Sequence, residues 1–271
     1  MENIKAVQES FSVQAEGFES KQMNFSKQEY LDYIVREIGA AKTDRVLEVA
    51  AGTCICGRNL APLVNSVVCL DATPAMLKIG RDRAEKERLT NMQFVQGYAE
   101  AIPYPDETYD ITLSRLSFHH FSEISAPFAE MNRVLKPGGK LVLIDMEAAE
   151  EDLRDTEDRI EAMRDPSHVR NASRSEFLAL FQRHGCKLVK AEGTGIPVEL
   201  SAWMELTKTP GDIRQEIISM MEEDLAGGTK TGFRPYRKDG TIWFDQRWLL
   251  MLGIKGVAAS ADADCAWKER M

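Results

Sequence analysis

Short, apolar, β-branched runs alternating with helix-patterned stretches restrict this chain more than any other feature. Strands are expected at 45–49, 66–71, 92–96, 109–114 and 140–145, with helices near 58–61, 74–88 and 124–134 between them. Strands joined through helices run parallel, and a parallel sheet is covered on both faces. The expected architecture is therefore an α/β fold, Rossmann-like, with helices on each side of the sheet. Ahead of it, apolar residues recur at helical spacing through Phe11, Ala15 and Phe18, and again through Tyr30, Ile34 and Ile38. The stretch LKPGGKL, 135–141, reads as a helix-to-strand reversal, because Pro137 cannot continue a helix and Gly138–Gly139 permit the turn.

Beyond 145 the pattern changes. An exposed acidic helix is expected across 147–164, and SRSEFLALFQRHG opens another with a serine cap. CKLVKAE and TIWFDQRWLLMLGIK read as two further strands, which brings the mostly parallel sheet to seven. The segment between them, 194–240, is far too long for a hairpin loop and is helix-patterned around Trp203 and 213–225. It reads as a helical cap inserted between the last two strands. The expected divisions are N-terminal lid helices at 1–44, a core at 45–193, the cap at 194–240, a final strand at 241–257, and a disordered tail at 258–271.

Charge and cysteine content narrow the function classes. A net charge of -9 repels phosphate backbones and argues against a nucleic-acid partner, leaving a small molecule. No run of 18 apolar residues is present, so no membrane span is expected, and the first residues lack the pattern of a signal peptide. The odd set Cys54, Cys56, Cys69, Cys186 and Cys265 suits reduced thiols in a cytoplasm. Cys54 and Cys56 lack a second ligand pair at zinc spacing, so no metal is expected.

In an open parallel sheet, ligands bind at the carboxyl ends of the strands. The loop inside RVLEVAAGTCICGRNLA, 45–61, is the first candidate. A dinucleotide loop, G-x-G-x-x-G, would require glycines at Ala50, Gly52 and Ile55, and the branched Ile55 disfavours it. The pattern acidic-x-G-x-G-x-G fits better, on Glu48, Ala50, Gly52 and Cys54.

Here the chain resembles the class I S-adenosylmethionine-dependent methyltransferases, most nearly their UbiE-like small-molecule branch, over 11–146. VLEVAAGT looks like the cofactor loop and VVCLDATPAML like the second strand with its ribose-binding acid. FVQGYAEAIPYPDETYDITLSRLSFHHF looks like the segment that passes the adenine into the fourth strand. EMNRVLKPGGKLVLIDM looks like the fifth strand and its approach. The resemblance implies S-adenosyl-L-methionine as cofactor. Its implied bed is Glu48, Ala50, Ala51, Gly52 and Thr53, with Asp71, Ala72 and Met76 after the second strand. Tyr98, Ala99, Glu100 and Arg115 complete it, and Phe11 and Phe18 belong to a lid helix. Ala50 and Cys54 depart from the family's glycines, and a side chain at Cys54 threatens to crowd the cofactor or to forbid a positive φ. Tyr98 replaces an aspartate, which passes the adenine contact to the Ala99 backbone.

Methyl transfer needs a general base only if the acceptor arrives protonated. His119, His120 and His168 are the candidates, and only one of the adjacent pair can face the pocket. In the cap, Trp203, Met204, Arg234 and Tyr236 are expected to meet the substrate, the alternative being packing or a homodimer contact. The expected function is methyl transfer to oxygen, carbon or nitrogen of a small aromatic or apolar metabolite. A non-catalytic S-adenosylmethionine-binding scaffold and a nucleotide-dependent oxidoreductase are the alternatives; calorimetry with the sulfur nucleotides and with NAD separates them.

Overall fold

The computed structural model describes residues 3–15, 17–19 and 26–256. The tail expected at 258–271, with Cys265, lies outside the described residues.

The strands are β1 (Arg45–Val49), β2 (Ser66–Asp71), β3 (Met92–Gln96), β4 (Tyr109–Arg115), β5 (Leu135–Met146), β6 (Cys186–Glu199), β7 (Tyr236–Lys238) and β8 (Thr241–Lys255). They form one sheet of order β3-β2-β1-β4-β5-β8-β6, with β7 added beside β8, so eight strands replace the seven expected. The pairings among β1 to β5 are parallel; those of β8 with β5, β6 and β7 are antiparallel. Side-chain alternation sends Val46, Ile111 and Val142 to one face, against helices α2 (Gln28–Ile38) and α3 (Ile55–Leu60). Leu47, Leu141 and Leu143 go to the other, against α5 (Ser125–Val134) and α7 (Arg174–Arg183). The order reverses direction at β1, between β2 and β4, and ligands collect at such a switch point.

Several boundaries differ from expectation. LKPGGKL is not a separate turn. β5 already starts at Leu135, which pairs with Tyr109, and the extra residues are taken up in an irregularity before Lys140 pairs with Ile111. The acidic helix, α6 (Arg154–Arg164), begins well after 147. The serine cap of α7 is present as a capping box between Ser173 and Glu176.

β6 and β8 continue as a two-stranded ribbon beyond the last β5 pair, Met146 with Trp248, as far as Glu199 with Trp243. The cap therefore starts at α8 (Leu200–Leu206) rather than at 194, and continues through α9 (Gly211–Leu225). It has a core of its own. Trp203 meets the rings of Phe233 and Phe244 at 5.5 and 5.2 Å, joined by Ile217 and Met221 from α9 and Ile160 from α6. No helix among the described residues is long and apolar enough to cross a membrane.

Candidate active site

The carboxyl ends of β1, β2 and β4 meet at a cleft of about 970 Å³, its open mouth included. Its floor is the loop after β1, where Ala50, Gly52 and Cys54 all have positive φ (51°, 53° and 59°). Two buried carboxylates hold this loop. Glu48 Oε2 accepts the Gly57 N–H at 2.7 Å, fastening the strand end to α3. A Cβ at Gly57 would lie 2.6 Å from that oxygen and 2.9 Å from Cys69 Sγ, so a side chain there would push Glu48 off the Gly57 N–H. Burial pushes the Glu48 carboxyl up to about 7, the Gly57 N–H working against it. Asp71, at the end of β2, accepts the Gly52 N–H on Oδ2 and the Thr73 N–H on Oδ1, each at 2.7 Å. It thereby ties the loop to the start of α4 (Pro74–Lys86). Burial raises its pKa too, opposed by those N–H donors.

Cys54 does not crowd the cleft. It accepts the left-handed conformation, and its fully buried thiol turns beneath the loop toward Gly80. A Cβ at Gly80 would lie 2.8 Å from Cys54 Sγ, so the glycine opposite supplies the space. Thr53 also sits beneath the loop, off the cleft wall, with its carbonyl facing the Arg58 side chain. The other residues expected at the cofactor do line the cleft: Glu48, Ala50, Ala51, Gly52, Asp71, Ala72, Met76, Tyr98, Ala99, Glu100 and Arg115. Arg115 stacks over the Trp248 ring at 4.9 Å.

Phe11 and Phe18 line the opposite side, their rings 6.0 Å apart. Phe11 belongs to α1 (Ile4–Gln14), which adds Ile4 and Val7 to the wall. α1 is latched by polar contacts. Gln8 donates to the Ala72 carbonyl at 2.8 Å, and Asn3 donates to the carbonyls of His120 and Ser167. Ser10 and Gln14 donate to the Asp165 carboxylate at 2.8 and 3.0 Å. Ser167 donates its hydroxyl to the same carboxylate at 2.6 Å. Burial opposes the charge on Asp165, but Arg164, His120 and the hydroxyl and N–H of Ser167 hold its carboxyl well below the usual carboxylate range.

The three candidate histidines come together, and they divide the work. His120 lines the cleft, with Phe11 edge-on at 5.0 Å. Its Nδ1 stands 3.0 Å from the Ser167 carbonyl, which can only accept, so Nδ1 carries the proton and Nε2 the lone pair. Burial, with His119 beside it, lowers this imidazole to about 3, so it is neutral. His119 lies behind His120, off the wall, its ring 4.2 Å away and its Nδ1 2.6 Å from Asp145. Burial depresses His119, but the Asp145 carboxylate outweighs it and the net shift is upward. His168 is deeper still, with Nε2 2.9 Å from Asp158.

The structure does not bring the cap residues to this cleft. Trp203 and Met204 are packed in the cap's own core, each 1% exposed. Arg234 pairs with Glu150, and the Tyr236 hydroxyl donates to Asp245 at 2.9 Å. Sequence reasoning missed α1's polar latch and Asp145. Asp145 was open to the logic that found Glu48 and Asp71, an acid closing an apolar strand.

The cleft suits a cationic nucleoside. A Cβ at Gly52 would come 3.2 Å from Met76 and 4.0 Å from the Phe18 ring, so the bare backbone forms part of a narrow cradle. The carboxyl groups of Asp71 and Glu100 lie among apolar walls, a setting that favours a positive charge and ribose hydroxyls.

Comparisons with known proteins agree. The methyltransferase domain family matches residues 47–143. The chain is similar to the uncharacterized methyltransferase YcgJ of Bacillus subtilis (strain 168), with 30% identity over 247 residues, 90% of this chain and 97% of YcgJ. The crystal structure of YcgJ superposes with a TM-score of 0.77 at 27% identity, covering 86% of this chain and all of that one. The ubiquinone/menaquinone biosynthesis C-methyltransferase UbiE of Marinomonas sp. (strain MWYL1) is 34% identical over 125 residues, 45% of this chain and 50% of UbiE.

Proposed function

Because the chain belongs to the S-adenosylmethionine-dependent methyltransferases, we propose that it methylates oxygen, nitrogen or carbon of a small, largely apolar or aromatic metabolite, seated between α1 and the turn after β4. The observation that carries this reading is the make-up of that part of the cleft. Ile4, Val7, Leu116 and Phe121 are apolar, and His120 supplies a neutral imidazole among them. Bound S-adenosylmethionine supplies an electrophilic methyl group. Its holders would be the 50–52 backbone, with Asp71 at the ribose and the Tyr98–Glu100 segment at the adenine.

The protein's part is positioning and dryness. α1 closes the cleft, which keeps water from the reacting centre and strengthens the fixed dipoles around it. His120 Nε2 accepts a hydrogen bond from an acceptor O–H or N–H and so orients the lone pair that attacks; as the methyl group's bond to sulfur breaks and the new bond forms, the methylated oxygen or nitrogen carries the positive charge, and an oxygen then sheds its proton past His120 to solvent. Too weak a base to hold a proton at neutral pH, it is a positioning contact rather than a proton store. His119 and Asp145 fix the ring behind it.

The net charge of -9 supports a small acceptor over a nucleic acid, and the buried thiols Cys54, Cys56, Cys69 and Cys186 suit the cytoplasm. A metabolite extract incubated with methyl-labelled donor tests the reading. Label should pass into a low-molecular-weight product, and His120→Ala should lower turnover on the order of 10²-fold while donor affinity is kept. Label found only in protein or RNA contradicts it.

A further inference from the structure

Asp165 does more than hold α1. It is buried just past the end of α6, 1% exposed, and Ser167, two residues on, is fully buried. The Ser167 N–H and hydroxyl both donate to Asp165 Oδ1, at 3.0 and 2.6 Å. The hydroxyl has a second neighbour. Its oxygen stands 3.2 Å from His120 Nδ1, beside the Ser167 carbonyl at 3.0 Å. Three side chains, carboxylate to hydroxyl to imidazole, thus end on the ring that lines the cleft.

The hydrogens along this run have one consistent arrangement. An ionised carboxylate only accepts, so the single Ser167 hydroxyl hydrogen is spent on Asp165, and the hydroxyl oxygen is left as an acceptor toward His120. The Ser167 carbonyl also only accepts. Nδ1 therefore meets two acceptors and carries the ring proton, which leaves a lone pair on Nε2. Arg164, 3.8 Å from Asp165 Oδ2, favours the ionised carboxylate that this arrangement needs. Ser10 and Gln14 of α1 add two more donors to it.

We propose that Asp165 is a positioning residue for methyl transfer: through the Ser167 hydroxyl it fixes the His120 tautomer, so that the ring offers the methyl acceptor a lone pair and not an N–H. Without the carboxylate, the hydroxyl is free to turn and donate to Nδ1, and the ring proton moves to Nε2. The tautomer also sets the acceptor class. A bare Nε2 suits a hydroxyl or an amine, whereas an Nε2–H would suit a carboxylate oxygen. This inference rests on the reading of His120 as the contact with the methyl acceptor, yet the tautomer is measurable with no acceptor present. The turnover of His120→Ala tests that reading separately.

Long-range proton–nitrogen NMR reads the tautomer directly, on the full chain labelled with nitrogen-15 in its four histidines at neutral pH. The His120 ring pair is assigned by its loss in His120→Ala. The wild type should show a protonated Nδ1 and a bare Nε2. In Asp165→Ala, with folding checked by circular dichroism, the Nε2–H share should rise by about tenfold. Adding Ser167→Ala to Asp165→Ala should restore the wild-type pattern, because the freed hydroxyl is gone and the backbone carbonyl at 167 remains. A purely structural role for Asp165 gives no such rescue. An Asp165→Ala spectrum identical to that of the wild type, or a double variant that does not recover it, overturns the assignment. The wild-type and Ser167→Ala spectra decide the matter even where Asp165→Ala does not fold. A proton on Nδ1 in both supports the assignment, and a proton on Nε2 in either overturns it.

Discussion

Ala50 shows how much a single residue is asked to bear. It holds φ 51° where glycine would sit without strain. A left-handed L-residue costs about 1–2 kcal/mol, and glycine gives back roughly 0.5–1 kcal/mol in chain entropy. Ala50→Gly should therefore raise unfolding free energy by about 0.5–1 kcal/mol in urea titration; a loss of stability would mean that the methyl group packs usefully. Glu48 makes a second test through pH. Burial lifts its carboxyl from the ordinary 4.5 to about 7 in the folded protein, so the folded state holds the extra proton between those values. Stability from this group is fully present below pH 4.5 and is lost as pH rises from there to about 7, by up to about 3 kcal/mol. His119 also loses its contribution on the alkaline side, since its folded pKa is raised above 6.5. Glu48→Gln should flatten only the first part of that decline, seen as a smaller drop in stability between pH 4.5 and 7, while the His119 part above pH 6.5 is kept. An identical pH profile in the variant would show that the carboxyl is not protonated in the fold.

At the scale of elements, α1 is held by side chains more than by a broad apolar face. Its last turns hang on Asp165, through Ser10 and Gln14. Asp165→Ala removes those acceptors and the partner of the Ser167 hydroxyl, at about 1.5–3 kcal/mol for a charged hydrogen-bond centre. Amide exchange across 4–14 should quicken while that of β1 and β4 stays slow. Unchanged exchange would show that Phe11 and its neighbours hold the helix alone. This latch was not legible in the sequence, because a carboxylate at 165 and hydroxyls at 10 and 167 carry no periodic signal. The strands were legible, since β1, β2 and β3 are short apolar runs closed by turn residues. Asp71 was legible for the same reason. β5 was read too short because Pro137 and the glycines that follow mark a turn, whereas here they are absorbed as an irregularity beside β4.

Over the whole molecule, the aromatic pattern of the cap was read correctly as apolar but assigned to a site. Periodicity reports that a face is buried, not which core it is buried in. Trp203, Phe233 and Phe244 build the cap's own centre, and the large cleft is roofed from the other end of the chain by α1. The account rests on that cleft being where the methyl donor sits, with Asp71 at its centre. Calorimetric titration of S-adenosylhomocysteine into the wild-type protein and into Asp71→Ala tests it most directly, with folding of the variant checked by circular dichroism. The account predicts saturable binding to the wild type, weakened about 10- to 100-fold in the variant by loss of a charged hydrogen-bond acceptor. Equal affinity in a folded Asp71→Ala protein, or no binding by the wild type, would contradict it.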